Sequence, residues 1–194
     1  MEVPRPPCPR CSGPTIRWSG YERHLRADGD HLIHIPRVRC RECGGTQALL
    51  PWFVVPKRWD AAEVIGAALG MASGGMGYRR IARVLERPET TVRDWGRRLR
   101  TVAISMGAGL LETAVDWGWS GLELPVSPLP RWLAAVEAAV ERWRVRQGPA
   151  RRWRVVNLIT GGLFGSANMH PPLAAGSGSA WMAAKSTEEV PDGP

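Results

Sequence analysis

Apolar residues recur at helical spacing through most of the chain beyond residue 60, whereas positions 1–55 show short β-prone runs broken by Gly, Pro and paired Cys. Val64, Ile65, Ala68, Leu69 and Ala72 fall on one face of a helix. Its start, Asp60-Ala-Ala-Glu63, reads as a capping box in which the Asp60 carboxylate accepts from a first-turn amide and Glu63 reaches back. Ser73-Gly-Gly-Met-Gly77 stops it, because consecutive glycines favour left-handed or extended backbone. A second short helix is expected over residues 78–86, turning Ile81, Ala82 and Leu85 inward. Arg87-Pro88 breaks it, since proline disfavours helix in the residue before it and suits the start of the next one. The third helix, over residues 89–103, buries Val92, Trp95, Leu99 and Val102 and carries the i,i+4 pairs Glu89–Arg93 and Asp94–Arg98.

Beyond residue 104 a further helix toward Val115 is weakened by Gly107 and Gly109, and residues 118–130 read as a loop. Leu129, Trp132, Leu133, Val136, Val140 and Trp143 then make a helical stripe. It either packs on the preceding helices or joins two copies of the chain through residues 129–143. A last segment, residues 153–164, precedes a tail with Pro171-Pro172 and a Gly-Ser run, whose linker composition predicts disorder over residues 166–194. Over positions 1–55 the β-prone runs are 15–18, 31–39 and 47–50, with Pro51 and Pro56 closing the zone. Trp18, Trp52 and Trp59 are expected to pad it, and His24, His31 and His34 to lie on its surface.

Four cysteines form two close pairs, Cys8-Pro-Arg-Cys11 and Cys40-Arg-Glu-Cys43, with positions 12–39 between them. Each pair can fold as a knuckle with two thiolates on one side of a turn, and two knuckles make a tetrahedral four-cysteine zinc site. Gly13 and Gly44-Gly45 stand where a knuckle needs positive φ. Four thiolates leave no coordination position for water or substrate, so one structural Zn2+ is expected on Cys8, Cys11, Cys40 and Cys43. The competing reading, a redox Cys-x-x-Cys, belongs after a strand in a βαβ unit, which this pattern lacks.

Charge sharpens the picture. Residues 1–103 hold 18 Lys and Arg against 10 Asp and Glu and so carry the whole formal net charge of +8, while the remainder balances 8 against 8. A basic front half suits a polyanion such as nucleic acid. All but Lys57 and Lys185 of the basic residues are arginine, as GC-rich coding favours irrespective of function. A second cluster, Arg142, Arg144, Arg146, Arg151, Arg152 and Arg154, reads equally as a solvated face or a phosphate grip. The N-terminus has no apolar core of signal-peptide length, and the longest uncharged stretch contains Pro171 and Pro172, so a cytoplasmic protein without membrane contact is expected.

Residues 78–100 resemble a helix-turn-helix of the kind found in transposases and invertases. Ile81 and Leu85 pack its first helix, Ala82 lies at the crossing, and Val92 and Trp95 anchor the second, with Arg87-Pro88 in place of the usual Gly-apolar-Ser/Thr turn. The resemblance implies that the second helix enters a major groove. Arg93 and Arg97 would then donate to guanine or phosphate, Thr90 would meet a base edge, and Glu89 would face outward with them. Thr91, Arg79, Arg80, Arg98 and Arg100 would contact phosphate. Together, ribbon and helix pair are similar over residues 8–103 to the N-terminal DNA-binding region of insertion-sequence transposases, and to uncharacterised bacterial proteins found near mobile elements.

The eight acids after residue 103 lie in too short a region to build the three-carboxylate, two-metal domain of a transposase. The expected fold is small α+β: a four-cysteine zinc ribbon of short antiparallel strands (residues 1–56), an all-α helix-turn-helix (57–103), a helical extension (104–165) and a disordered tail (166–194). The expected function is sequence-specific binding of double-stranded DNA by a non-enzymatic, transposon-associated accessory factor or regulator. The alternatives are an adaptor docking a partner recombinase, transposase or ATPase, and the DNA-binding half of a truncated transposase.

Overall fold

The computed structural model describes residues 5–121 and 123–160. The tail expected over 166–194, and the last part of the segment expected over 153–164, lie outside these residues. The polypeptide is α+β: a three-stranded antiparallel sheet, then five helices among the described residues. Strands β1 (Thr15–Arg26), β2 (Asp30–Cys40) and β3 (Thr46–Ala48) are ordered β1-β2-β3. The β1–β2 hairpin is much longer than the runs predicted from sequence. Tyr21, Arg23 and Leu25 pair with Ile35, Ile33 and His31 along one face, and that face carries Leu25 and Ile35 into a small core with Val54 and Ala61.

Residues 51–61 stitch the sheet to the helices. Ala61 N–H donates to Arg26 C=O, Arg26 N–H to Trp59 C=O, and Ala62 N–H to Phe53 C=O. Helix α1 (Ala62–Ser73) therefore starts one residue past a strand-like bridge, and Asp60 does not cap it. The expected capping box is corrected on this point: Asp60 is buried and its carboxylate accepts from Arg87 at 2.7 Å. A guanidinium matches a buried carboxylate better than a backbone amide does, because it brings the opposite charge as well as the hydrogen bond.

Helix α2 (Tyr78–Val84) ends earlier than expected, and Glu86 takes a left-handed φ of 52° in the turn to α3 (Glu89–Asp116). Helix α3 does not stop near residue 103. It runs unbroken for 28 residues, across the expected boundary between helix-turn-helix and extension. Of the glycines read as weakening it, Gly107 has a packing role instead: a Cβ there would stand 3.5 Å from the Trp132 Cα, so the bare backbone lets α4 (Pro128–Gln147) approach closely. Contacts Gly107–Trp132 and Trp117–Trp143 advance in the same direction, as does the Arg142–Gly118 hydrogen bond. The C-terminal half of α3 and α4 thus run parallel. The loop is shorter than expected because Pro128 and Pro130 occupy the first turn of α4, where their missing N–H groups cost nothing.

Trp132, Val136 and Val140 are buried, with Leu129, Leu133 and Trp143 packed at the margin of the same core, so the stripe expected at 129–143 is spent on the chain's own helices. Trp95, Leu99, Met106 and Leu110 of α3 meet it from the other side. Helix α5 (Arg152–Ile159) closes this core by stacking Trp153 on Trp132, with ring centroids 6.1 Å apart, and Asn157 Nδ2 donates to Trp52 C=O at 2.6 Å. No helix among the described residues is long and apolar enough to cross a membrane.

Candidate functional site

The two Cys-x-x-Cys segments build matching loops. In the first, Cys8 N–H donates to Gly13 C=O at 2.9 Å; in the second, Cys40 N–H donates to Gly45 C=O at 2.8 Å. Each chain must reverse just after its second cysteine, and it does so with a left-handed residue: Ser12 (φ 59°) in the first loop and Gly44 (φ 67°) in the second. The expectation is therefore corrected for Gly45, whose φ is not positive, and for Gly13. The lack of a side chain at Gly13 serves close approach, since a Cβ there would collide with the Glu42 carboxylate. Arg41 N–H donates to Pro14 C=O and Thr15 pairs with Cys40, which locks the two loops face to face.

This brings all four sulfurs within 4.8 Å of one another. The close contacts cross between loops, Cys8 Sγ to Cys43 Sγ and Cys11 Sγ to Cys40 Sγ, each at 3.5 Å. That is far beyond a disulfide bond of about 2.05 Å, and the four cysteines are free thiols. A tetrahedral ion with Zn–S bonds of about 2.3 Å would set its sulfurs about 3.8 Å apart, so the cluster has the size to hold one metal ion. Its protonation chemistry points the same way. The amides of Arg10 and Cys11 draw the Cys8 thiol down to about 6. Cys11 receives the Gly13 amide, yet the crowding sulfurs of Cys40 and Cys43 push it up to about 12. A thiolate at one sulfur opposes the next, and a cation at the centre would relieve that repulsion. The side chains of Arg10 and Arg39 lie against Gly45 and Gly44 and add positive charge at the second loop.

The second region is the surface of α2 and the N-terminal half of α3. Ile81, Ala82, Val92, Trp95 and Leu99 are buried as expected. Arg79, Arg80, Glu89, Thr90, Arg93, Arg97 and Arg100 are exposed, while Thr91 and Arg98 are half-buried. They are not equivalent. Asp94 accepts from Arg97 Nη2 and Arg98 Nε, each at 2.7 Å, and lies 3.6 Å from Arg58. The Asp94–Arg98 pair matches the sequence expectation, but Glu89 pairs across the turn with Arg79 at 3.6 Å.

Several residues in these regions had no legible signal. Arg58, Asp60 and Arg87 tie the hairpin to the turn before α3 and to α3 itself, through partners remote in the chain. Trp18 and Trp59, expected as padding, are 53% and 60% exposed; Trp59 stacks on His24 and Arg39 lies over Trp18. Of the second arginine cluster, Arg142 donates to Gly118 C=O, Arg144 to Ala150 C=O and Arg152 pairs with Glu137, so these three brace the helices they stand on.

No curated protein and no solved structure matches the chain. Residues 8–95 match a domain of unknown function, DUF6431. The matched stretch runs from the first cysteine of the sulfur cluster to Trp95 in the second turn of α3, and so spans the sheet, α1, α2 and the turn between α2 and α3 as one unit.

Proposed function

We propose that the chain is a non-catalytic, sequence-specific DNA-binding protein, a transposon-associated accessory factor or regulator, with one structural Zn2+ on Cys8, Cys11, Cys40 and Cys43. Helices α2 and α3 act as a helix-turn-helix, with the N-terminal half of α3 in the major groove. The observation that carries this reading is the partition of α3: Val92, Trp95 and Leu99 point inward, which leaves Arg93, Arg97 and Arg100 outward on consecutive turns of one face. Residues 77–103 hold eight Arg against three acids. Arginines so spaced can pair bidentately with guanine or grip phosphate. The ion would organise the sheet, and the hairpin, tied to the turn before α3 through Arg87, would set the angle at which α3 is presented. Asp60, a buried carboxylate at this junction, is already held by Arg87 and Arg26.

Selection of bound duplexes from a random pool tests the proposal directly. Enrichment of one motif, with affinity falling steeply as salt rises, is the expected result. Arg93→Ala should cost about 1–3 kcal/mol on that motif and little on unrelated duplexes. Affinity that is unchanged by salt, or a pool that shows no enrichment, would refute it. An adaptor reading draws on the exposed Trp59, His24 and Leu32, where Trp59 stacks on His24 and His24 pairs with Leu32 across the hairpin. It predicts capture of a partner protein without retention of duplex.

A further inference from the structure

The hairpin has two unlike ends. Around the sulfur cluster, residues 5–20 and 36–48 carry six arginines and one acid, Glu42. A zinc ion on four thiolates has a charge of −2, which leaves this end at about +3. The tip, residues 21–35, has two arginines against three acids. The tip is the end fixed to the turn before α3, through Arg87 and Ala27. The basic end is carried along β1 from Leu25 to Thr15, a span of about 33 Å at about 3.3 Å per residue.

At that distant end β1 contains a bulge. The register passes from Arg17–Val38 to Ser19–Arg37, so Trp18 is the extra residue, without a partner across the ladder. A bulge re-aims a side chain, and here the outcome is a tryptophan more than half open to solvent, with the Arg39 guanidinium 4.7 Å from its ring centroid. Arg10, Arg17 and Arg41 are exposed on the same end. Leaving more than half of a large ring in water is unfavourable, and Arg39 is the cation that lies over it. An exposed aromatic among arginines is the arrangement that binds unpaired nucleobases, with the ring stacking on a base and the cations neutralising phosphates on either side. A closed duplex offers no free base face to such a ring.

We infer that the metal-proximal end of the hairpin binds single-stranded nucleic acid, with Trp18 stacking on an unpaired base and Arg17, Arg39 and Arg41 holding the flanking phosphates. This goes beyond duplex recognition by α3 and shares with it only the class of polymer. The chain would engage DNA where a duplex opens into a single strand.

The full-length, metal-loaded protein is titrated against labelled oligo(dT) and against a blunt duplex carrying the motif selected for α3, with anisotropy as the readout. Wild type should bind both. Trp18→Ala should weaken oligo(dT) binding about tenfold, Trp18→Phe should retain most of it, and both should bind duplex as wild type does. Arg93→Ala should show the converse. Duplex binding without oligo(dT) binding, or equal losses in the Ala and Phe variants, overturns the inference and leaves the α3 reading standing. Oligo(dT) binding without duplex binding supports it and refutes the α3 reading. If Trp18→Ala loses its metal, Arg17→Glu at the same end replaces it: a loss of tenfold or more on oligo(dT) alone is expected, and no loss overturns the inference.

Discussion

Arg87 Nε donates to Asp60 Oδ1 at 2.7 Å, and the same guanidinium donates to Ala27 C=O at 3.1 Å and to Leu85 C=O at 3.2 Å. One side chain thus joins the hairpin tip, the strand-like segment before α1 and the turn before α3. Asp60 also takes a longer contact from Arg26, at 3.4 Å. The left-handed Glu86 that precedes Arg87 aims it inward.

Removing Arg87 leaves the buried Asp60 only the longer contact from Arg26, and removing Asp60 leaves Arg87 only carbonyl acceptors. Arg87→Ala and Asp60→Ala should each destabilise the chain by about 1–3 kcal/mol, whereas the double replacement Asp60→Ala, Arg87→Ala should cost less than the sum. Urea unfolding of the four proteins checks this. Additive losses would mean that the two residues act separately. The double variant should still bind duplex less specifically, because the turn before α3 is then no longer tied to the hairpin tip through Arg87.

Much of this was legible in the sequence where a local pattern has only one physical outcome. Two cysteine pairs, each followed by small residues, foretold the sulfur cluster. The inward set Ile81, Ala82, Val92, Trp95 and Leu99 followed from helical spacing. What failed depended on partners distant in the chain. Asp60 reads as a cap because caps are local, and its true partner, Arg87, stands beyond two helices. Gly107 reads as a helix breaker until Trp132 is seen against it. Trp18 reads as core because tryptophan is apolar, and a bulge has no sequence signal of its own.

Trp153 separates two glycines of α1 with opposite expected outcomes. A Cβ on Gly66 would penetrate the indole ring, whereas on Gly70 it would stand 3.8 Å from Trp153 Cζ2, in ordinary contact. Gly70→Ala should stabilise by about 0.5–1 kcal/mol through helix propensity and lost freedom in the unfolded chain. Gly66→Ala should destabilise by about 1–3 kcal/mol, the overpacking cost exceeding the propensity gain. Thermal melts of the two single variants decide; shifts of the same sign would show that α5 does not seat on α1 as described.

Metal analysis of the purified chain should find one zinc per molecule. Cys11→Ser should abolish it, and a chelator should lower the melting temperature and release the hairpin first, since the small core of Leu25, Ile35, Val54 and Ala61 is thin support by itself. Acid should act as the chelator does, because protons compete with the metal for every thiolate. Full zinc content retained in Cys11→Ser would exclude the four-sulfur site.

Asp94 holds two of the arginines assigned to DNA, and this links stability to binding. Partial burial raises its pKa, but hydrogen bonds from Arg97 and Arg98 outweigh that and hold the carboxyl below its ordinary value. A carboxyl depressed in the folded state contributes stability above its unfolded pKa of about 3.9, and this is lost as pH falls through the lower folded value. With Arg97 largely solvated, the contribution should be only about 0.5–1 kcal/mol. Asp94→Asn should therefore lower stability slightly at neutral pH and match wild type in strong acid. The same change removes a negative charge beside Arg93 and frees Arg97 for phosphate. Duplex affinity should rise, and the slope of log K against log salt should steepen by about 0.9 for the phosphate gained. Weaker binding by Asp94→Asn would instead mean that Asp94 holds Arg97 in the orientation that reads the groove, and would assign Arg97 to a base rather than to phosphate.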